Sequence, residues 1–184
     1  MHIGVDFGTT NSGAAYFDGR QVKMLPLDPS SPDPAVMRTM LYITRDQELY
    51  FGQSALDTYY EQNVGRPSKM ARQWVGEIEM TFAELGTFVR DVYVMIDELM
   101  PGRLMRSLKS GLATNYEGTT VFDRYYQLEE LIALYLKHIR ERVQKETGEM
   151  VDGIVLGRPV NFVGSREQAD NLCAENRLRR AAEI

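Results

Sequence analysis

Three strand-like runs follow one another at the amino end, His2 to Asp6, Ser12 to Phe17 and Gln21 to Leu25, and the links between them are too short for a crossover. Strands joined so tightly pair antiparallel, so the chain up to Leu25 is committed to a sheet that begins as a meander. Asp18-Gly19, between the second and third runs, is an ordinary compact hairpin signal. The first link, within DFGTTNS, is different. A tight hairpin needs only two residues of the Asn-Gly kind, and this stretch is longer, with a glycine, two threonines, an asparagine and a serine.

Gly8 removes a side chain where a ligand could approach the backbone, and Thr9, Thr10, Asn11 and Ser12 offer successive N–H groups and hydroxyls, which together make a nest for phosphate oxygens. Asp6, at the end of the first strand, would repel a phosphate. It fits such a nest only with a divalent cation between them, most simply hydrated magnesium. The residues alone leave a plainer reading open, in which Asp6 and the hydroxyls satisfy hydrogen bonds of the turn itself.

The rest of the chain supplies elements to complete and cover a sheet. PLDPSSPDPAVMRTM holds four of the seven prolines and reads as an exposed loop leading to a short strand at Leu41 to Thr44. ELYFGQSALDTYYEQN reads as a strand end, Gly52 and a helix. From Met80 to Leu99, Phe82, Leu85, Phe88, Val89, Val92, Ile96 and Leu99 recur at three and four, which predicts an amphipathic helix stopped by Pro101-Gly102. The clearest helix carries Leu128, Leu131, Ile132, Tyr135, Ile139 and Val143 as one stripe and stops at Gly148. VDGIVLGRPVNF then reads as a strand covered on both faces and ended by Pro159. Arg166 to Ile184 is helix-prone through Leu172, Leu178 and Ala181-Ala182. It stops without a capping glycine, so the chain is expected to be the N-terminal piece of a longer protein.

At 184 residues such a chain buries close to ~70% of its unfolded surface. The 21 basic and 26 acidic residues are spread along it with a net charge of −5, leaving no basic stripe for nucleic acid or an anionic membrane. No secretory segment and no membrane-spanning apolar run is present, and a single cysteine fits a reducing cytoplasm. Cys173 reads as a small buried thiol and His138 as a solvated or half-exposed histidine among Lys137 and Arg140, neither with metal-ligand companions. The ten methionines and ten tyrosines read as core filler.

IGVDFGTTNS resembles the first phosphate loop of the actin-like ATPase superfamily of sugar kinases, actins and seventy-kilodalton heat-shock chaperones, and its TTNS continuation resembles the chaperone branch most closely. A second block, VDGIVLGRPVNFVGSREQADNLCAENRLRRAAEI, is similar to the chaperone strand, proline turn and helix, with the GRPVNF wording of YegD-like members of the DnaK family. The two blocks cover about a quarter of the chain, one at each end. The resemblance implies an α/β fold: a ribonuclease H-like lobe, its mixed sheet with antiparallel N-terminal strands flanked by helices. It also implies a mainly helical subdomain inserted at about 45–114, the whole of 1–184 being the first lobe of a nucleotide-binding domain.

Carried over to this chain, the resemblance makes Asp6 the carboxylate that holds Mg2+ through water. Gly8, Thr9, Thr10 and Asn11 line the β- and γ-phosphates of ATP or ADP, and Pro159, with Arg158 beside it, relays the nucleotide state. The family's lysine near the γ-phosphate is assigned to Lys109 in RSLKSGLA, which precedes the Leu128 helix as in the YegD-like branch; Lys69 in PSKMARQWVG, with Arg72 nearby, is the second candidate. A compact ammonium on a long stem suits that role. The implied protein is a cytoplasmic, stress-response chaperone ATPase that binds nucleotide and unidentified client or co-chaperone proteins, and no nucleic acid or membrane. The family's second phosphate loop, opposing carboxylates and adenosine segment lie downstream, so this chain alone is expected to bind ATP weakly or not at all and not to hydrolyse it. A sugar-kinase-type phosphotransferase and an actin-like filament or division protein are the alternatives, although sugar kinases commonly follow DxGTT with a basic residue where this chain has Asn11-Ser12.

Overall fold

The structure, a computed structural model, describes residues 1–82 and 86–184. Along the chain run strands β1 (His2–Phe7), β2 (Asn11–Phe17), β3 (Val22–Met24), β4 (Met37–Arg38), β5 (Met40–Thr44) and β6 (Leu49–Phe51), helix α1 (Gly52–Asn63), then β7 (Met70–Phe82), β8 (Gly86–Asp97) and β9 (Gly102–Arg106). A 3-10 turn (Leu108–Gly111), β10 (Gly118–Val121), β11 (Arg124–Gln127), α2 (Leu128–Thr147), β12 (Gly153–Leu156) and α3 (Gln168–Glu183) follow. The described residues form two units, Met1–Glu61 with Gly102–Ile184, and Gln62–Pro101.

The first unit is a mixed α/β structure. Its main sheet runs β12-β1-β2-β3, with β4 also on β2; β1 is antiparallel to β2 and parallel to β12. The meander predicted for the amino end is present. Strand alternation sends Ile3, Val5 and Phe7 to one face of β1, where they are buried with the whole predicted stripe of α2, and leaves Gly4 and Asp6 on the other. The rings of Phe7 and Tyr135 lie 5.8 Å apart in this core. Gln127 N–H donates to Glu130 at the start of α2, and Gly148, at φ 71°, ends it in the left-handed conformation that glycine adopts freely. A second sheet, β6-β5-β9, packs Leu41 and Ile43 into the same core, and β10-β11 leads directly into α2.

Two expectations change here. The GIVL strand is not covered on both faces: β1 is its only strand neighbour among the described residues, and Val155 is 69% exposed. Cys173 is exposed, because α3 buries Ala174, Leu178 and Ala181 instead and Cys173 falls off that stripe. The stacking of His138 on Phe51, with centroids 4.2 Å apart, leaves that histidine half-buried as expected. Tyr42, Tyr126 and Tyr135 are core residues, whereas Met24, Met70, Met95 and Met150 are exposed and fill nothing.

The second unit overturns the predicted helix at Met80 to Leu99. It is a β-hairpin, with β7 and β8 paired from Met70↔Asp97 to Phe82↔Gly86 and a bulge between Trp74 and Gly76. Phe88, Val92 and Ile96 are four residues apart, a spacing that satisfies one face of a helix and also one face of a strand. Valine, isoleucine and aromatic side chains favour the strand. Leu85 of the predicted stripe lies outside the described residues. The described part of 45–114 therefore holds four strands, one α-helix and one 3-10 turn, and is not mainly helical.

α3 is tied to α2 by Arg177, whose Nε donates to Glu129 Oε1 at 2.6 Å. Burial acts to raise the Glu129 carboxyl, but the hydrogen bond and charge of Arg177 outweigh it and hold the group below the ordinary carboxylate value. A carboxyl depressed in the folded state stabilises above its unfolded value and loses that contribution as pH falls through the folded value. The urea midpoint is therefore expected to fall as pH is lowered from about 5 to about 3, and to fall less in Glu129→Gln; equal losses in the two proteins would remove this pair from the acid response.

Candidate phosphate site

The DFGTTNS link folds as a turn held from below. Phe7 is buried and pairs with Ser12 across the turn. Ser12 does not offer its hydroxyl to the mouth of the turn as expected: it is buried, and its Oγ shares a hydrogen bond of 2.9 Å with Thr39 Oγ1. Strand parity decides this, since Ser12 lies on the core-facing side of β2. The Thr39 N–H donates to the Thr10 carbonyl at 2.8 Å, and Tyr135 Oη donates to the Arg38 carbonyl at 2.8 Å, so a buried polar layer carries the turn.

Above that layer, Gly8 and Thr9 are half-buried and Thr10 and Asn11 exposed. A Cβ on Gly8 would overlap the Asn11 carbonyl oxygen, so the turn admits only glycine there. The glycine is thus required by the turn's own backbone, a reason the sequence reading did not foresee. Among the described residues, the backbone N–H groups of Gly8, Thr9 and Thr10 donate to no protein acceptor. Three neighbouring amides left free at an open surface are the donors an anion would use.

Lys109 arrives at the same corner from the 3-10 turn after β9. Its Nζ donates to the Phe7 carbonyl at 2.5 Å, joining residues 102 positions apart. Burial pushes its ammonium below the ordinary lysine value, and the Asp6 carboxylate acts in the opposite direction. Asp6 is exposed beside Gly157, whose N–H extends the β1–β12 ladder by donating to the Val5 carbonyl at 2.9 Å. A groove of about 500 Å³, lined by Gly4, Asp6, Asn11, Gly13, Ala15 and Gly157 among others, runs from this corner across the open face of the sheet.

The other predicted residues are engaged elsewhere. Lys69 belongs to the hairpin unit, where Nζ pairs with Glu98 at 2.7 Å, and the Arg72 guanidinium lies 3.8 Å from the Tyr93 ring centroid. Arg158 pairs with Glu175 at 3.3 Å, and Pro159 is half-buried in the irregular stretch after β12. Among the described residues no group of three His, Cys, Asp or Glu side chains could hold a metal ion. Asp6 fits a cation only as a lone carboxylate, with water and the oxygens of a bound anion completing the shell, which is the coordination magnesium accepts. No helix of the described residues is long and apolar enough to cross a membrane. The sequence reading missed Thr39 and the Phe7 carbonyl, because neither a buried hydroxyl nor a backbone acceptor leaves a motif. No protein-family model matches the chain.

Proposed function

We propose that the chain is the first lobe of an ATP-binding, DnaK-like chaperone ATPase with an actin-like fold, which couples MgATP binding and hydrolysis to movement between lobes. The observation that carries the reading is the convergence of Lys109, Asp6 and three free amides on one corner. An antiparallel meander followed by a helix and a parallel strand beside β1 is compatible with the ribonuclease H-like sheet that the resemblance implies.

The free amides of Gly8 to Thr10 would cradle β- and γ-phosphate oxygens, with Asn11 at the rim and Asp6 holding Mg2+ through water. Magnesium, when bound, would offset charge on the phosphates. Lys109 would exchange the Phe7 carbonyl for a phosphate oxygen, a favourable trade because an anion is the stronger acceptor. A second lobe would close over this corner, excluding water and completing the clamp, and the change in lobe angle would report the nucleotide state to a client or co-chaperone.

The native gene product is expected to hydrolyse MgATP without any added acceptor, at a rate that changes when an extended apolar peptide is supplied. Phosphate transfer to a sugar hydroxyl would replace this reading with a phosphotransferase. ATP-dependent sedimentation as filaments would replace it with an assembly protein.

A further inference from the structure

Arg177 divides its guanidinium between the carbonyls of one loop and Glu129 of α2. Its Nη1 lies 3.2 Å from the Gly111 carbonyl, 3.4 Å from that of Leu112 and 3.1 Å from that of Thr114, and Nη2 donates to the Tyr116 carbonyl at 2.8 Å. Glu129 takes the remaining contacts, from Nε at 2.6 Å and Nη2 at 3.4 Å, and only 13% of the Arg177 side chain is exposed. A rigid, planar set of donors can serve so many acceptors at once; the point charge of a lysine cannot.

The loop so held is the continuation of the turn that carries Lys109. That turn is short and starts from strain: Ser107, a residue with a Cβ, sits at φ 58° in the left-handed region. A four-residue 3-10 turn is weakly held by its own bonds, and such a conformation persists only where the surroundings over-determine it. Upstream the determinant is β9, paired with β5 as far as Met40↔Arg106. Downstream, residues 112–117 belong to no strand or helix; the buried Leu112 side chain and the Leu128 N–H on the Glu117 carbonyl hold the two ends of the segment, and Arg177 holds the carbonyls between them. Gly111 is the junction. As the last residue of the lysine's turn, its carbonyl accepts from Arg177, from Thr114 N–H and from Thr114 Oγ1.

The geometry points to Arg177 as the positioning residue of Lys109: it fixes, through the carbonyls of Gly111 to Tyr116, the turn that delivers the ammonium to the Phe7 carbonyl. It makes no bond to Asp6, Phe7 or the residues Gly8 to Asn11 itself. The functional consequence rests on the phosphate-site reading above; the positioning does not.

The test is the 15N–1H signal of the Lys109 ammonium in the folded chain. An ammonium held on a carbonyl exchanges its protons slowly enough to be seen, whereas a solvated one does not. The signal is expected in the wild type and in Val143→Ala, a buried substitution at the far end of α2 that lowers stability without touching the loop. It is expected to vanish in Arg177→Gln and in Arg177→Lys; in the full-length protein those variants are expected to slow single-turnover ATP hydrolysis while MgATP affinity stays within about fivefold of wild type, because the amides of Gly8 to Thr10 and the metal site at Asp6 do not depend on the lysine. A persistent signal in folded Arg177→Gln overturns the inference, and so does its loss in Val143→Ala; if Arg177→Gln does not fold, Arg177→Lys decides on the same reading. If the signal behaves as expected while the full-length protein shows no response to MgATP, the positioning stands and the nucleotide reading falls.

Discussion

Gly8→Ala is expected to destabilise the first unit by about 3 kcal/mol, at the upper end of the range for forcing an extra methyl into a packed site, and to abolish any response to MgATP. The cost comes from the turn's own backbone. The new Cβ would overlap the Asn11 carbonyl, which belongs to main chain already fixed by β2 pairing with both β1 and β4. A flexible side chain could move aside; a carbonyl flanked by two ladders cannot. Relief would require the turn to open, pulling Thr10 from Thr39 and uncovering the buried Ser12–Thr39 pair. Thr9→Ala, half-exposed and without such a contact, should stay within about 0.5 kcal/mol of wild type. Urea unfolding checks both, and a Gly8→Ala midpoint matching that of Thr9→Ala would show that the turn yields easily.

Lys109→Met in the full-length protein is expected to slow single-turnover ATP hydrolysis by about 10³-fold, the scale of removing a preorganised charge from a developing oxyanion. Nucleotide affinity should change by less than about fivefold, because the amides of Gly8 to Thr10 and the metal site at Asp6 remain and the loss falls on the transition state. Folding should survive. Methionine keeps the unbranched stem, and the penalty of half-burying an ammonium disappears along with its bond to the Phe7 carbonyl, worth about 1 kcal/mol. Lys69→Met is the control, removing only an exposed partner of Glu98. Full turnover in Lys109→Met with loss in Lys69→Met would transfer the role to Lys69.

Legibility in the sequence followed how local each cause is. The meander, α1, α2 with its glycine stop, and α3 are set by alternation, by a helical stripe and by capping, all contained in a short window of sequence. The β7–β8 hairpin was misread because Phe88, Val92 and Ile96 satisfy two periodicities at once, and what separates them is pairing with residues up to 27 positions away, as at Met70↔Asp97. Strand GIVL was read as buried on both faces from its apolar run, but whether a strand is central depends on what lies beside it, which the run does not encode.

Of the site, Asp6 and the turn were legible because a glycine followed by hydroxyl residues after a strand is a local signal. Lys109 was legible only through resemblance. Its delivery to Phe7 depends on β9, on the strained Ser107 turn and on Arg177, contacts spread over the chain from Met40 to Arg177. Ser12 shows the opposite error: its hydroxyl was read as facing a ligand, yet it faces the core, and at Gly8 the turn's own backbone supplies a second reason for glycine that the motif does not reveal.

The central claim is that a metal-bound triphosphate sits on the turn between β1 and β2, and paramagnetic line broadening by Mn2+–ATP tests it most directly. The amides of Gly8 to Asn11 and of Gly157 are expected to broaden first and most, while His2 and Thr147, at the opposite end of β1 and α2, keep their line widths. Even broadening at both ends, or an identical pattern with Mn2+ alone, would contradict the account.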